Sequence, residues 1–145
     1  MMQDNSKSRG RIIAETFDEK GNLERRNEYE NTINLDYKEA VASLLAGGAD
    51  VIEIDSVRIG STDSTFTESS SGLGTPISGG DVSPTSVTAS SKTVTIVAQY
   101  GLGVVGQVEE AALYAGSTII ALNSNISEEK LTNKVLRITW VLTIN

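Results

Sequence analysis

Cysteine and histidine are both absent from this chain of 145 residues. Without cysteine there is no disulfide, no thiol nucleophile and no Cys-based zinc site, and the redox compartment leaves no mark. Without histidine there is no Ser-His-Asp relay, no imidazole metal ligand and no side chain whose ordinary pKa falls near 7. Catalysis would have to run on carboxylates, lysine or tyrosine, so we expect a protein that is not an enzyme. Aromatic residues are scarce: Phe17, Tyr29, Tyr37, Phe66, Tyr100, Tyr114 and Trp140 are all there are. The core must therefore be mainly Val, Ile, Leu and Ala. Basic residues are outnumbered, 12 Lys and Arg against 19 Asp and Glu, for a formal net charge of −7. That balance argues against nucleic acid or an anionic membrane surface as a partner. The first residues are polar and lack the apolar centre of a signal peptide, and no apolar run is long enough to cross a bilayer.

What is present suits a single domain with one core. Residues 1–10 read as an N-terminal arm carrying Lys7 and Arg9, and 11–145 as one β domain. Residues 11–17 form a short strand pattern, Gly21 marks a turn, and 23–35 reads as a polar strand through Arg25, Arg26, Glu28, Tyr29 and Glu30. So polar a strand is expected to lie exposed on both faces or paired against another subunit. Asp36 and Glu39 make a capping box, Tyr37, Val41, Leu44 and Leu45 share one helical face, and Gly47-Gly48 ends it. This predicts one short helix over about 36–46.

From Val51 to Ile59 the apolar residues change parity between Ile54 and Val57, which predicts a bulge near Asp55-Ser56. Residues 60–91 differ in kind: 23 of these 32 positions are Ser, Thr, Gly or Pro, and none is Lys or Arg. They predict a long ordered loop or two short edge strands, anchored by Phe66, Leu73, Ile77, Val82 and Val87. The last third alternates most clearly. Val94, Ile96, Ala98 and Tyr100 share one face, as do Leu136, Ile138, Trp140, Leu142 and Ile144, with Thr and Arg between them. That is the pattern of half-buried antiparallel strands.

Five motifs compete with a purely structural reading. Gly101-Leu102-Gly103-Val104-Val105-Gly106 matches GxGxxG after a strand. The strand before it alternates with Thr and Gln, the acid due about 20 residues later is missing, and no βαβ units precede it. A glycine-rich loop between strands is the better reading. Asp55 and Asp63, with Ser and Thr nearby, could offer oxygen ligands to a structural calcium ion, but without EF-hand spacing. No cofactor is expected otherwise. Glu109-Glu110 points to opposite faces of a strand, and Glu128-Glu129-Lys130 reads as solvated charge in a turn. Asn125-Ile126-Ser127 is a glycosylation sequon that reads as a chance match.

The order of pieces over residues 57–144 resembles small β-sandwich virion structural proteins of tailed bacteriophages and tailed archaeal viruses. Its carriers are Val57-Arg58-Ile59-Gly60-Ser61-Thr62-Asp63, Leu73-Gly74-Thr75-Pro76-Ile77, Lys92 to Tyr100, Glu109 to Gly116, and Val135 to Leu142. Ala112 departs from the pattern where those proteins commonly have glycine. The resemblance implies a mainly β, antiparallel sandwich or jelly-roll-like module, present in symmetric copies on a capsid, neck or tail. It implies a capsid decoration or turret protein that reinforces the viral head, with the major capsid protein or other virion proteins as partners. A trimer or pentamer, assembled in the host cytoplasm, goes with this. A tail, baseplate or fibre-adaptor role and a glycan-binding module are the alternatives. Lys7, Arg9, Arg11, Arg25, Arg26 and Tyr29 are the candidate subunit or capsid interface, and no catalytic residue is expected.

Overall fold

Alternation along the chain becomes sheet. The computed structural model describes residues 9–33, 53–62 and 72–143, and every element among them is a strand. The strands are β1 (Arg9–Phe17), β2 (Leu23–Ile33), β3 (Ser56–Gly60), β4 (Pro76–Val82), β5 (Ser86–Ser90) and β6 (Thr93–Tyr100). β7 (Gly106–Val108), β8 (Glu110–Ala115), β9 (Thr118–Asn123), β10 (Glu128–Lys130) and β11 (Val135–Thr143) complete the set. All pairings are antiparallel, and the fold is a mainly β sandwich. The predicted helix at 36–46 lies outside the described residues, as do Lys7, Phe66 and Asp63.

One sheet of nine strands runs in the order β4-β3-β8-β9-β2-β1-β11-β6-β5, and β7 and β10 pair as a separate ribbon. The nine strands fall into two halves joined through β2. Its long stretch pairs with β1, and its end meets β9 at Thr32↔Leu122 and Ile33↔Ala121. The half containing β1, β11 and β6 contributes Ile12, Ala14, Leu136, Ile138, Trp140, Ile96 and Ala98 to the main core. The half containing β3, β8 and β9 contributes Val57, Ile59, Ala111, Leu113 and Ile120. The Tyr100 hydroxyl donates to the Val57 carbonyl at 2.8 Å, a polar tie between the halves inside this core.

The strands of the first half behave as alternation requires. β11 is buried at Leu136, Ile138, Trp140 and Leu142, with half-buried residues between them. β6 is buried at Ile96, Ala98 and Tyr100 on the same side, because Trp140↔Ile96 and Ile138↔Ala98 are direct cross-strand neighbours. The parity change before β3 is solved differently from the predicted bulge. The strand begins only at Ser56, and residues 53–55 are outside it. Ile54 packs against the main core alongside Val57 and Ile59. The Asp55 amide donates to the Tyr114 carbonyl at 3.0 Å, which holds the chain beside β8 just before β3 begins.

Of the two forms expected for 60–91, the described residues show the edge strands: residues 76–82 and 86–90 are strands and form the two outer edges of the nine-stranded sheet. Arg9 and Gly10, counted with the arm, are ladder residues opposite Thr143 and Leu142. The polar strand is not left for another subunit along its whole length. β2 pairs with β1 from Gly10↔Asn31 to Phe17↔Leu23, because β1 supplies a partner of matching length within the same chain.

Candidate interaction surface

The residues singled out from sequence are divided by strand parity. Arg11 and Arg26 lie on the outer side of the β1–β2 pair and share Glu28: Arg26 Nη2 sits 2.8 Å from Glu28 Oε1, and Arg11 Nη1 3.9 Å from Oε2. These groups are well exposed, and such pairs add little stability. Arg25 and Tyr29 point the other way, onto the segment before β10. The Tyr29 hydroxyl donates to the Ser127 carbonyl at 3.3 Å, and Arg25 Nη2 donates to the same oxygen at 3.4 Å. Partial burial pushes the Tyr29 phenol above its ordinary pKa. Arg25 and Tyr29 therefore fasten the chain to itself, while Arg11 and Arg26 remain on an open face. Arg9 sits at the start of β1, and Lys7 is outside the described residues.

Below Arg25 lies a carboxylate that the sequence reading placed in solvent. Glu128 is 2% exposed, takes a hydrogen bond from Asn27 Nδ2 at 3.0 Å, and sits 3.4 Å from Arg25 Nη2. Two residues on, Lys130 is 1% exposed and its ammonium donates to the carbonyls of Val104 at 2.9 Å and Leu131 at 2.6 Å. Desolvation lowers the pKa of that ammonium. Residues 128–130 are thus not a solvated turn. They are strand β10, paired with β7, and the period of two puts both charges inside with Glu129 outside. The signal was present as an i, i+2 spacing of charges, but three residues are too few to show alternation.

Glu110 was missed for a related reason. It is fully buried at the head of β8; its Oε1 accepts from the Gly74 amide at 2.8 Å, and its Oε2 from the Thr75 and Thr62 amides at 2.9 and 3.3 Å. One carboxylate therefore ties Thr62 at the end of β3 to Gly74 and Thr75 ahead of β4. The ladder is reinforced by Ser61 N to Thr75 O at 2.8 Å and Glu109 N to Gly60 O at 2.9 Å. Gly60 is a direct partner of Glu110 across the β3–β8 pair, and a Cβ there would collide with the carboxylate. No general rule marks a glutamate that caps loop amides, so only the Gly60–Glu110 pairing could have exposed it.

The remaining candidates fall into structural places. Gly101–Gly106 connects β6 to β7, with strand rather than helix following it, and Gly103 takes φ of 100° in its turn. Asp55, considered for calcium, accepts the Gly116 amide at 3.1 Å. Among the described residues no group of three or more acidic side chains is arranged to hold a metal. The Asp18 carboxylate takes the Lys20 and Asn22 amides at 2.9 Å each. The Asn22 hydrogen bond is the chief reason its pKa lies below the ordinary value.

Two exposed features are left. The first is an apolar tip. Leu102 (60% exposed) and Val105 sit on the β6–β7 loop, which meets the Leu131 turn through the Gly103 amide and Thr132 carbonyl at 3.4 Å. Leu131 is exposed as well, and Lys130 fastens the two loops together from beneath. The second is the outer face of β1, β11, β6 and β5, where the half-buried Ile13, Val141, Val97 and Thr95 and the exposed Thr88 stand in adjoining rows. Comparison of the chain with protein-family models, with curated proteins and with solved structures gave no match.

Proposed function

We propose that the chain is a non-enzymatic structural module of a tailed-virus particle, a capsid decoration or turret protein that binds the head and reinforces it. One observation carries the non-enzymatic part. The buried ionisable groups Glu110, Glu128 and Lys130 are each engaged in joining one segment of backbone or one strand to another. Catalytic acids and bases converge on a cleft where a reacting atom can sit. Here each is bound to backbone or to a neighbouring strand and serves as a fastener, which suits a part that must hold its shape under load. The virion part rests on the sequence resemblance of residues 57–144, and the open β1–β11–β6 face and the apolar tip supply surfaces suited to contact with other virion proteins.

Immunogold labelling of intact particles that carry this chain tests the reading. Gold on heads supports decoration. Gold on tails transfers the module to a baseplate or fibre-adaptor position, and the absence of gold from particles rejects a virion role. A second experiment addresses the arm. Because β1 begins at Arg9, the truncation must stop at residue 8. The shortened chain is expected to fold and to lose binding to purified heads; retained binding would show that the arm does not grip.

A further inference from the structure

We propose that β5 is a self-pairing edge through which two copies of this chain join about a two-fold axis, a surface that goes beyond the particle reading. An unpaired edge strand offers a row of free backbone donors and acceptors, and proteins usually guard such rows with charge, proline, glycine or a bulge. Two other edges among the described residues are guarded in this way. β4 carries Pro76, Gly79, Gly80 and Asp81, and its register against β3 breaks between Arg58 and Gly60. The stretch of β2 not paired to β9 carries Glu24, Arg25, Arg26, Glu28 and Glu30.

β5 has none of these devices. It reads Ser86-Val87-Thr88-Ala89-Ser90, with Pro84 and Lys92 only flanking it. Its five residues pair with β6 in unbroken register, and all five are exposed, Val87 by 46%. The strand is also palindromic in character. Antiparallel pairing centred on Thr88 sets Val87 against the second copy's Ala89 on the core-side face. On the other face it sets Thr88 against Thr88 and Ser86 against Ser90. Apolar residues meet apolar and hydroxyls meet hydroxyls, the matches that stabilise cross-strand pairs. A chain of net charge −7 repels its own copies, and an uncharged edge is where that repulsion is least felt. The union continues the β1–β11–β6–β5 layer of one copy into that of the other, and its symmetry makes the contact isologous.

Five residues of ladder bury less than a standard stable interface, so the pairing belongs in the micromolar range, and high local copy number would strengthen it. Sedimentation of the full chain from about 10 to 500 μM, a span chosen around that range, tests this together with two variants. Wild type is expected to shift reversibly from monomer to dimer. Thr88→Lys sets two ammonium groups against each other across the axis, and should weaken the dimer at least about tenfold without altering the monomer's circular dichroism. Because the chain has no cysteine, Thr88→Cys gives a clean trap under mild oxidation, with Ser117→Cys in the exposed β8–β9 turn as control. The Thr88 variant should form a covalent dimer well ahead of the control. A chain that stays monomeric throughout overturns the proposal, as does a dimer indifferent to Thr88→Lys or cross-linking no faster than the control. None of these outcomes bears on particle labelling, so the two readings stand or fall separately.

Discussion

Glu110 shows how one side chain can replace a stretch of secondary structure. Its two oxygens accept three backbone amides from segments that otherwise lack ladder partners at those positions. A buried donor left unpaired costs about 1–3 kcal/mol. Glu110→Ala would orphan three, with water relieving part of the loss, and we expect about 3 kcal/mol of destabilisation in urea unfolding. Glu110→Gln retains an acceptor oxygen and should lose distinctly less. If the alanine variant proved as stable as wild type, the carboxylate would not be holding these three amides. Tyr100 gives a pH-dependent counterpart. Burial pushes its phenol far above the ordinary value of 10.0. The folded state therefore keeps a proton that the unfolded state releases above pH 10, so this stabilising contribution is complete below pH 10 and declines as pH rises beyond it. Tyr100→Phe removes the bond to Val57, costing about 1 kcal/mol at pH 7, and should also flatten the alkaline limb of the stability curve. Trp140, the sole tryptophan and fully buried, reports both unfolding curves by fluorescence. An unchanged alkaline limb would assign that pH dependence to other groups.

At the scale of elements, legibility in the sequence tracks how many faces a strand buries. β6 and β11 each bury one face, so their apolar residues alternate, and position, extent and inward side could all be read directly. β8 and β9 are buried on both faces: Ala111 and Leu113 enter the main core, while Ala112, Tyr114, Ile119 and Leu122 form a second cluster with Leu73 against it. Arg58 covers part of that second side, its guanidinium 3.9 Å from the Tyr114 ring centroid. A register shift between Leu113 and Tyr114 further scrambles the parity. No alternation survives there, so the inward side of neither strand could be read from the sequence. The buried charges of β10 and the inward Arg25 and Tyr29 were hidden for another reason: polar residues read as exposed unless their tertiary partners are known. The β5–β6 hairpin turns through Ser91 and Lys92, with Ser91 at φ of 54°, a left-handed conformation that costs a residue bearing a Cβ. Ser91→Gly removes that cost, and we expect the midpoint of thermal unfolding to rise in line with about 0.5–1 kcal/mol. A fall in midpoint would mean that the serine hydroxyl contributes more than the strain it brings.

The whole molecule is organised by a short seam and a shared core. Among the described residues β2 meets β9 at two residue pairs, and that stretch of ladder alone would let the β3–β8–β9 half separate from the half built on β1, β11 and β6. Three features oppose this. The main core draws side chains from both halves, and the Tyr100 hydroxyl reaches across it to Val57. Asn123, buried at the end of β9, donates through its side-chain amide to the Glu30 carbonyl of β2, while its Oδ1 holds the Asn125 amide at 2.8 Å. Separating the halves would expose apolar area at about 25 cal/mol per Å², which far outweighs what two ladder pairs contribute. We therefore expect a single cooperative transition. Native-state hydrogen exchange should give the amides of β8 and of β11 the same opening free energy, equal to that from Trp140 fluorescence under the same conditions. If β8 opened at lower free energy than β11, the seam rather than the core would govern, and the two halves would be independently folding units joined at β2.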